Sequence, residues 1–239
     1  MTAPPLVVGE LATELEHLGW VTDLLVGGSV ATDDYVPHVS DLDLVALVDG
    51  PVDSTRQTTL STIHRALDEG SGAGLKLGCV YVNAAQLLDA DAIHPTWTHG
   101  SLVQRILSGV VRAELVRHGY AVFGRAPLQV LPAMSDDDLR DAARSELTGY
   151  WSWAARRPTV WLDPVMTDLG LTSMARGRHT LATGELLTKS RAIEQANAPA
   201  WLIDQMRARR RGENVTSPRL RSARIAWRDA RRTVALAKP

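Results

Sequence analysis

The sequence predicts an α+β chain in two parts: a mixed-sheet α/β domain over residues 1–130, then an all-α helical bundle over residues 131–239. Three observations carry this. Short apolar runs at 24–26, 44–48 and 75–82 have strand composition, and the last two are separated by a helix-period segment at 54–69. Strand, turn, strand, helix, strand in that order builds a sheet with a helix on one face. Beyond residue 130 the patterns are helical with no convincing strand, and five of the seven tryptophans (151, 153, 161, 201 and 227) fall there.

In chain order, Pro4-Pro5 precedes Leu6, Val7, Leu11, Leu15 and Leu18, the stripe of a short amphipathic helix whose first turn tolerates proline. The segment 54–69 opens with Ser54 as its expected cap and places Leu60, Ile63, His64 and Leu67 on one stripe, with His64 half-buried. His94-Pro95-Thr96-Trp97-Thr98-His99-Gly100 reads as a loop before a helix at 101–118. Its Trp97 suits either stacking on a base or sugar or plugging a seam between domains. Residues 120–123 read as a brief strand. Ser135 followed by three aspartates is a strong helix start, because a capping hydroxyl and acids both suit the positive end of a helix. Further helices are expected near 136–155, 164–183, 189–196, 199–211 and 217–236, with Asp163 as a cap ahead of Pro164.

Composition bounds the function. At 239 residues, 45% hydrophobic and 22% charged, the chain is an ordinary globular protein, and its net charge of -1 gives no nucleic-acid-sized bias. One cysteine, Cys79, forbids an internal disulfide and a cysteine-based zinc site. No apolar run nears the roughly 20 residues that span a bilayer, and the first residues lack the basic stretch of a signal peptide, so a cytoplasmic protein without membrane association is expected. The last 39 residues hold ten arginines and one lysine against three acids. That surplus suits nucleic acid, balance against an acidic first domain, or a nucleotide's triphosphate. Without aromatic-rich strands to stack bases, nucleic acid is the weakest of the three.

The chemistry concentrates in 24–48. Asp41 and Asp43, two apart in a strand, project both carboxylates from one face, an arrangement that suits Mg2+ with room for phosphate. Gly27 and Gly28 permit close backbone approach, and N–H groups at the turn cradle anions, with the Ser29 hydroxyl beside them. Ser29 stands twelve residues before Asp41, each half set against an apolar strand. This combination resembles the signature of the nucleotidyltransferase superfamily related to DNA polymerase β.

The second domain sharpens the resemblance. Arg176 within Leu-Thr-x-x-x-Arg, then Thr183-Gly184, then Lys189 thirteen residues after the arginine, is similar to the C-terminal domain of the streptomycin and spectinomycin adenylyltransferases. Glu146 and Trp151 fit the same family's Glu-x4-Trp segment. The resemblance covers both domains and implies Mg2+-dependent transfer of a nucleoside monophosphate, AMP from ATP, to a hydroxyl of a small aminoglycoside-like molecule. It places the nucleotide between the domains, with Asp41 and Asp43 as metal ligands and catalytic carboxylates, and Gly28, Ser29, Arg176 and Lys189 on the phosphates. A fork donor and a point charge suit a triphosphate and its leaving pyrophosphate.

Two features depart from the family pattern. Most relatives carry a third carboxylate on the strand after the intervening helix, but here 75–82 reads LKLGCVYV, and no acid lies between Glu69 and Asp89. Glu114 is the first candidate to replace it and His99 the second. Aminoglycosides are polycations and call for acids on the second domain, where Asp163, Asp168 and Glu146 are the nearest; Asp168 and Trp97 are the substrate-binding candidates. Two other functions stay open: a nucleotidyltransferase acting on a protein or tRNA, which the basic tail favours, and a catalytically silent nucleotide binder, which the missing acid favours.

Overall fold

The computed structural model describes residues 4–238, in two compact units that meet in sequence between Ala133 and Met134. In the first unit, helix α1 (Leu6–His17) leads into strand β1 (Val21–Val26), the short helix α2 (Gly28–Ala31) and strand β2 (Asp41–Val48). Helix α3 (Ser54–Glu69) crosses to β3 (Lys76–Asn83), and a hairpin of β4 (Ile93–Thr98) and β5 (Ser101–Ile106) follows. Helix α4 (Gly109–His118), β6 (Tyr120–Phe123) and the single turn α5 (Pro127–Val130) complete it. The described strands form one sheet in the order β5-β4-β3-β2-β1-β6, mixed because only β2 and β3 run parallel.

Strand alternation divides the core. Leu42, Leu44, Leu77, Cys79 and Tyr81 face α1 and α3, while Leu25, Val45, Leu47 and Val82 face Leu115 of α4. Burial on both faces explains why β1 and β2 read as near-continuous apolar runs instead of alternating ones. The cap of α3 is Asp53, not Ser54: its carboxylate accepts the Arg56 N–H at 2.9 Å, and the serine is the first helical residue. At the far edge, the buried Asp23 accepts two side-chain bonds and one backbone bond from Arg125, which fastens the segment after β6 to β1. Burial pushes the Asp23 carboxyl up, but the Arg125 and Thr22 hydrogen bonds together with the Arg125 charge outweigh it and hold it below the usual carboxylate value.

Residues 94–100 are not a loop, and 101–106 are not helical. Trp97 pairs across to Leu102 in the β4–β5 hairpin, whose turn places His99 and Gly100 in the left-handed region. A proline usually argues against a strand, but β4 is hydrogen-bonded to β3 only around Cys79 and Val80, so Pro95 sits where few donors are needed.

The second unit is helical throughout its described elements. Helix α6 (Asp136–Glu146) starts at Ser135, whose side chain and that of Asp138 cap each other's backbone N–H groups. The expected 136–155 helix is interrupted by a π-helical turn at Leu147–Trp151, with Gly149 at φ −83°, ψ −105°, before α7 (Ser152–Ala155) resumes it. Helices α8 (Pro164–Thr183), α9 (Lys189–Glu194), α10 (Ala200–Arg210) and α11 (Arg219–Leu236) follow. Asp163 caps α8 through the Val165 N–H at 2.9 Å. The core gathers Trp151, Trp161, Leu171, Met174, Leu202 and Ala226. Gly170 is required there, since a β-carbon would come within 2.8 Å of the Trp161 ring. Among the described residues no helix is long and apolar enough to cross a membrane.

The basic C-terminal segment is spent largely inside this unit. Arg207 binds Glu194 and Asp204, Arg209 binds Asp168, Arg211 binds Glu213, and Arg221 and Arg231 lie over the Trp201 and Trp227 rings. Its charge is balanced by neighbouring helices and aromatic faces within the bundle.

Candidate active site

The two halves of the N-terminal motif meet. Strands β1 and β2 are antiparallel neighbours, so the turn after β1 lies beside the start of β2, and the Gly27 N–H donates to the Asp43 carbonyl at 2.9 Å. Gly28 takes φ +56°, and a β-carbon on it would lie 2.8 Å from the Asp43 carboxyl carbon. Glycine is therefore required twice over, for its backbone angle and for the carboxylate lying against it. Ser29 follows in α2, buried, and its Oγ has no hydrogen-bond partner within the protein.

Asp41 and Asp43 are both half-buried and alternate with the buried Leu42 and Leu44, as the two-residue spacing requires. Two hard oxygen donors on one strand face, with a buried hydroxyl and glycine backbone adjacent, fit Mg2+ shared with a phosphate chain. They open onto a cavity of about 500 Å3 in the first unit, whose lining includes Gly28, Asp41, Asp43, Gly78, Thr96 and Arg105. Gly78 pairs directly with Asp43 across the parallel ladder, so the neighbouring strand offers no side chain at that level. No group of three metal-binding side chains occurs among the described residues.

The remaining candidates divide. Glu114 is half-buried on α4; Val111 and Leu115 of that helix line the cavity, and Glu114 is not among its lining residues. Trp97 is not available for stacking on a substrate. Its ring is fully buried, stacked on His64 at 4.9 Å between centroids, and its Nε1–H donates to Asp68 at 3.0 Å. His64 is fully buried instead of half-buried, with Nε2 2.6 Å from the Tyr81 hydroxyl, and burial pulls its pKa down to about 3. The same burial pushes the Asp68 carboxyl up, only partly offset by the Trp97 bond.

In the second unit, Arg176 donates from Nε to the Leu187 carbonyl at 2.8 Å, tying α8 to the loop that ends in Thr188, the N-cap of the helix that Lys189 begins. Asp168 is not an available acid for a cationic acceptor. Both its oxygens are held by Arg209, at 2.6 and 2.8 Å, in a fork-to-fork pair. The spacing of Glu146 and Trp151 has a local purpose, since the indole N–H points at the Glu146 carboxylate at 3.4 Å across the π-turn.

Sequence reasoning gave no weight to Arg105 and Thr96. Both reach the site only through the β4–β5 hairpin, and its pairing is a long-range property that local patterning does not encode.

Comparison with known proteins agrees with this geometry. Residues 8–77 match the nucleotidyltransferase domain, a span from α1 through the start of β3 that contains both motif halves. No curated protein matches the chain by sequence. Among solved structures, a spectinomycin adenyltransferase from Enterococcus faecialis, determined with ATP and spectinomycin, shares the fold with a TM-score of 0.71 and 16% identity, over 95% of this chain and 98% of that one. Residues 8–77 thus match a nucleotidyltransferase domain, and the chain as a whole shares the fold of that solved structure.

Proposed function

We propose that this protein transfers AMP from ATP, with Mg2+, to a hydroxyl group of a small molecule. The observation that carries the reading is the packing of the Asp43 carboxylate onto Gly28, beside a buried Ser29 hydroxyl that has no partner in the protein. A fold alone would not support a reaction, but this constellation has the parts that nucleotidyl transfer needs. It also tells against a silent binder, since nucleotide binding without chemistry has little need of two carboxylates on one strand.

Asp41 and Asp43 would hold the metal ion, which when bound supplies charge neutralisation at the transferring phosphoryl group. The Gly28 backbone and the Ser29 hydroxyl would orient the outer phosphates. The acceptor hydroxyl attacks the α-phosphorus in line, forming the new P–O bond as the bond to pyrophosphate breaks. Its proton passes to a carboxylate of the site or to water, because Gly78 provides no acid at the adjoining strand position. A general base contributes about 10²–10⁴-fold, so its absence slows the reaction without abolishing it.

The test is pyrophosphate release from ATP and Mg2+ with a panel of hydroxyl acceptors, aminoglycosides included, with Asp43→Ala as the control. Release that depends on one acceptor and disappears in the variant is expected. ATP binding that survives by calorimetry with no release from any acceptor would replace this reading with that of a nucleotide-binding protein.

A further inference from the structure

We infer that the acceptor is an anionic hydroxyl compound, of the sugar-phosphate or sugar-acid class, and that Arg105 selects it. The inference rests on the proposed reaction and concerns the side of the site opposite the phosphate turn. In-line displacement puts the attacking oxygen across the α-phosphorus from the leaving pyrophosphate. The turn at Gly27–Ser29 lies between β1 and β2, and the aspartates lie on β2. The attacking molecule is therefore left the far flank, over β3, β4 and β5.

The charge on that flank is positive. The ionisable side chains lining the cavity are Asp41, Asp43, Asp68, Lys76, His99 and Arg105. Asp41 and Asp43 are committed to the metal in the proposed reaction, and Asp68 is turned to the Trp97 indole. Lys76 donates to the Val39 carbonyl at 2.8 Å. Arg105 is exposed on the edge strand β5, at the register position opposite His94, and has no ion pair among the described residues. Thr96 and Thr98 add hydroxyls from the neighbouring strand. A polycationic acceptor entering over this flank would meet Lys76 and Arg105, with Asp41 and Asp43 committed to the metal and Asp68 to the indole. A carboxylate or phosphate meets a guanidinium fork whose geometry matches it.

The full chain, saturated with α,β-methylene-ATP and Mg2+, is titrated calorimetrically with hexose phosphates and sugar acids in one series and with spectinomycin and streptomycin in another. At least one anionic compound is expected to bind, with affinity lowered about ten-fold or more in both Arg105→Gln and Arg105→Glu. Nucleotide affinity should stay within about two-fold of wild type in both variants. Tighter binding of the cationic compounds, no binding from the anionic series, or anion binding indifferent to both substitutions would overturn the inference. So would loss of nucleotide affinity in the Arg105 variants, which would assign the arginine to ATP. Failure of wild type to bind the nucleotide analogue is a separate outcome: it removes the proposed reaction itself, and with it the ground for an acceptor.

Discussion

The carboxylate of Asp43 lies over the α-carbon of Gly28, in the space that any other residue at position 28 would fill with its β-carbon. Residues fifteen apart in sequence are thereby held as one unit. Gly28→Ala is expected to displace the carboxylate and to force a non-glycine residue to φ +56°. Strain of about 1–2 kcal/mol should appear in thermal unfolding. Pyrophosphate release should fall by about 10²-fold, the usual cost of moving a reacting group by about an ångström. Unchanged turnover in a folded variant would show that the carboxylate does not act from this position.

Ser29 gives the converse test. Its buried hydroxyl has no protein partner, so Ser29→Ala should leave stability unchanged or raise it slightly. ATP affinity should nevertheless drop by roughly five- to ten-fold, the worth of one hydrogen bond to a charged oxygen. Calorimetry against melting temperature separates the two, and a loss of stability with no loss of affinity would make the serine structural.

His64 makes the fold sensitive to acid. Its pKa of about 3 in the folded protein lies below the ordinary 6.5, so as pH falls the unfolded chain takes up the proton first. The stability is complete above about pH 6.5 and declines toward pH 3. At pH 5 the loss is on the order of 2 kcal/mol. Urea titrations at pH 7 and pH 5 should show this loss in wild type and a smaller one in His64→Gln, which cannot ionise. Equal sensitivity in both would place the effect elsewhere.

For Asp168, the fork-to-fork pair with Arg209 predicts a stability role. Asp168→Asn should lower the unfolding free energy by about 1–3 kcal/mol, because Arg209 loses its partner in a half-buried setting. The Michaelis constant for any acceptor should change less than two-fold. A rise confined to that constant, with stability intact, would return Asp168 to the substrate site.

The candidate constellation is visible in the sequence because its parts are local: a glycine turn after one apolar run, two aspartates opening the next, and strand alternation to set them on one face. Helix starts at Ser135 and Asp163 were equally legible, since a cap acts over three residues. The β4–β5 hairpin was not. His94, Pro95 and the threonines carry weak strand signals, and it is the pairing of Trp97 with Cys79 and of Thr96 with Val80, 18 and 16 residues upstream, that makes them a strand. Trp97 was misplaced for the same reason, because the stack with His64 and the bond to Asp68 exist only once α3 lies across that strand. The spacing of Asp168 and Arg209, 41 residues apart, carries no local trace of their pairing.

Gly78 bears on what this chain can become. A β-carbon there would stand 3.2 Å from the Leu42 carbonyl and 3.8 Å from that of Trp97, so the backbone of β2 is drawn in close beside it. Installing glutamate or aspartate is then more than one exchange of side chains: the strand beside it has to yield by a few tenths of an ångström first. A carboxylate added to the site would therefore be easier to place elsewhere in the cavity wall.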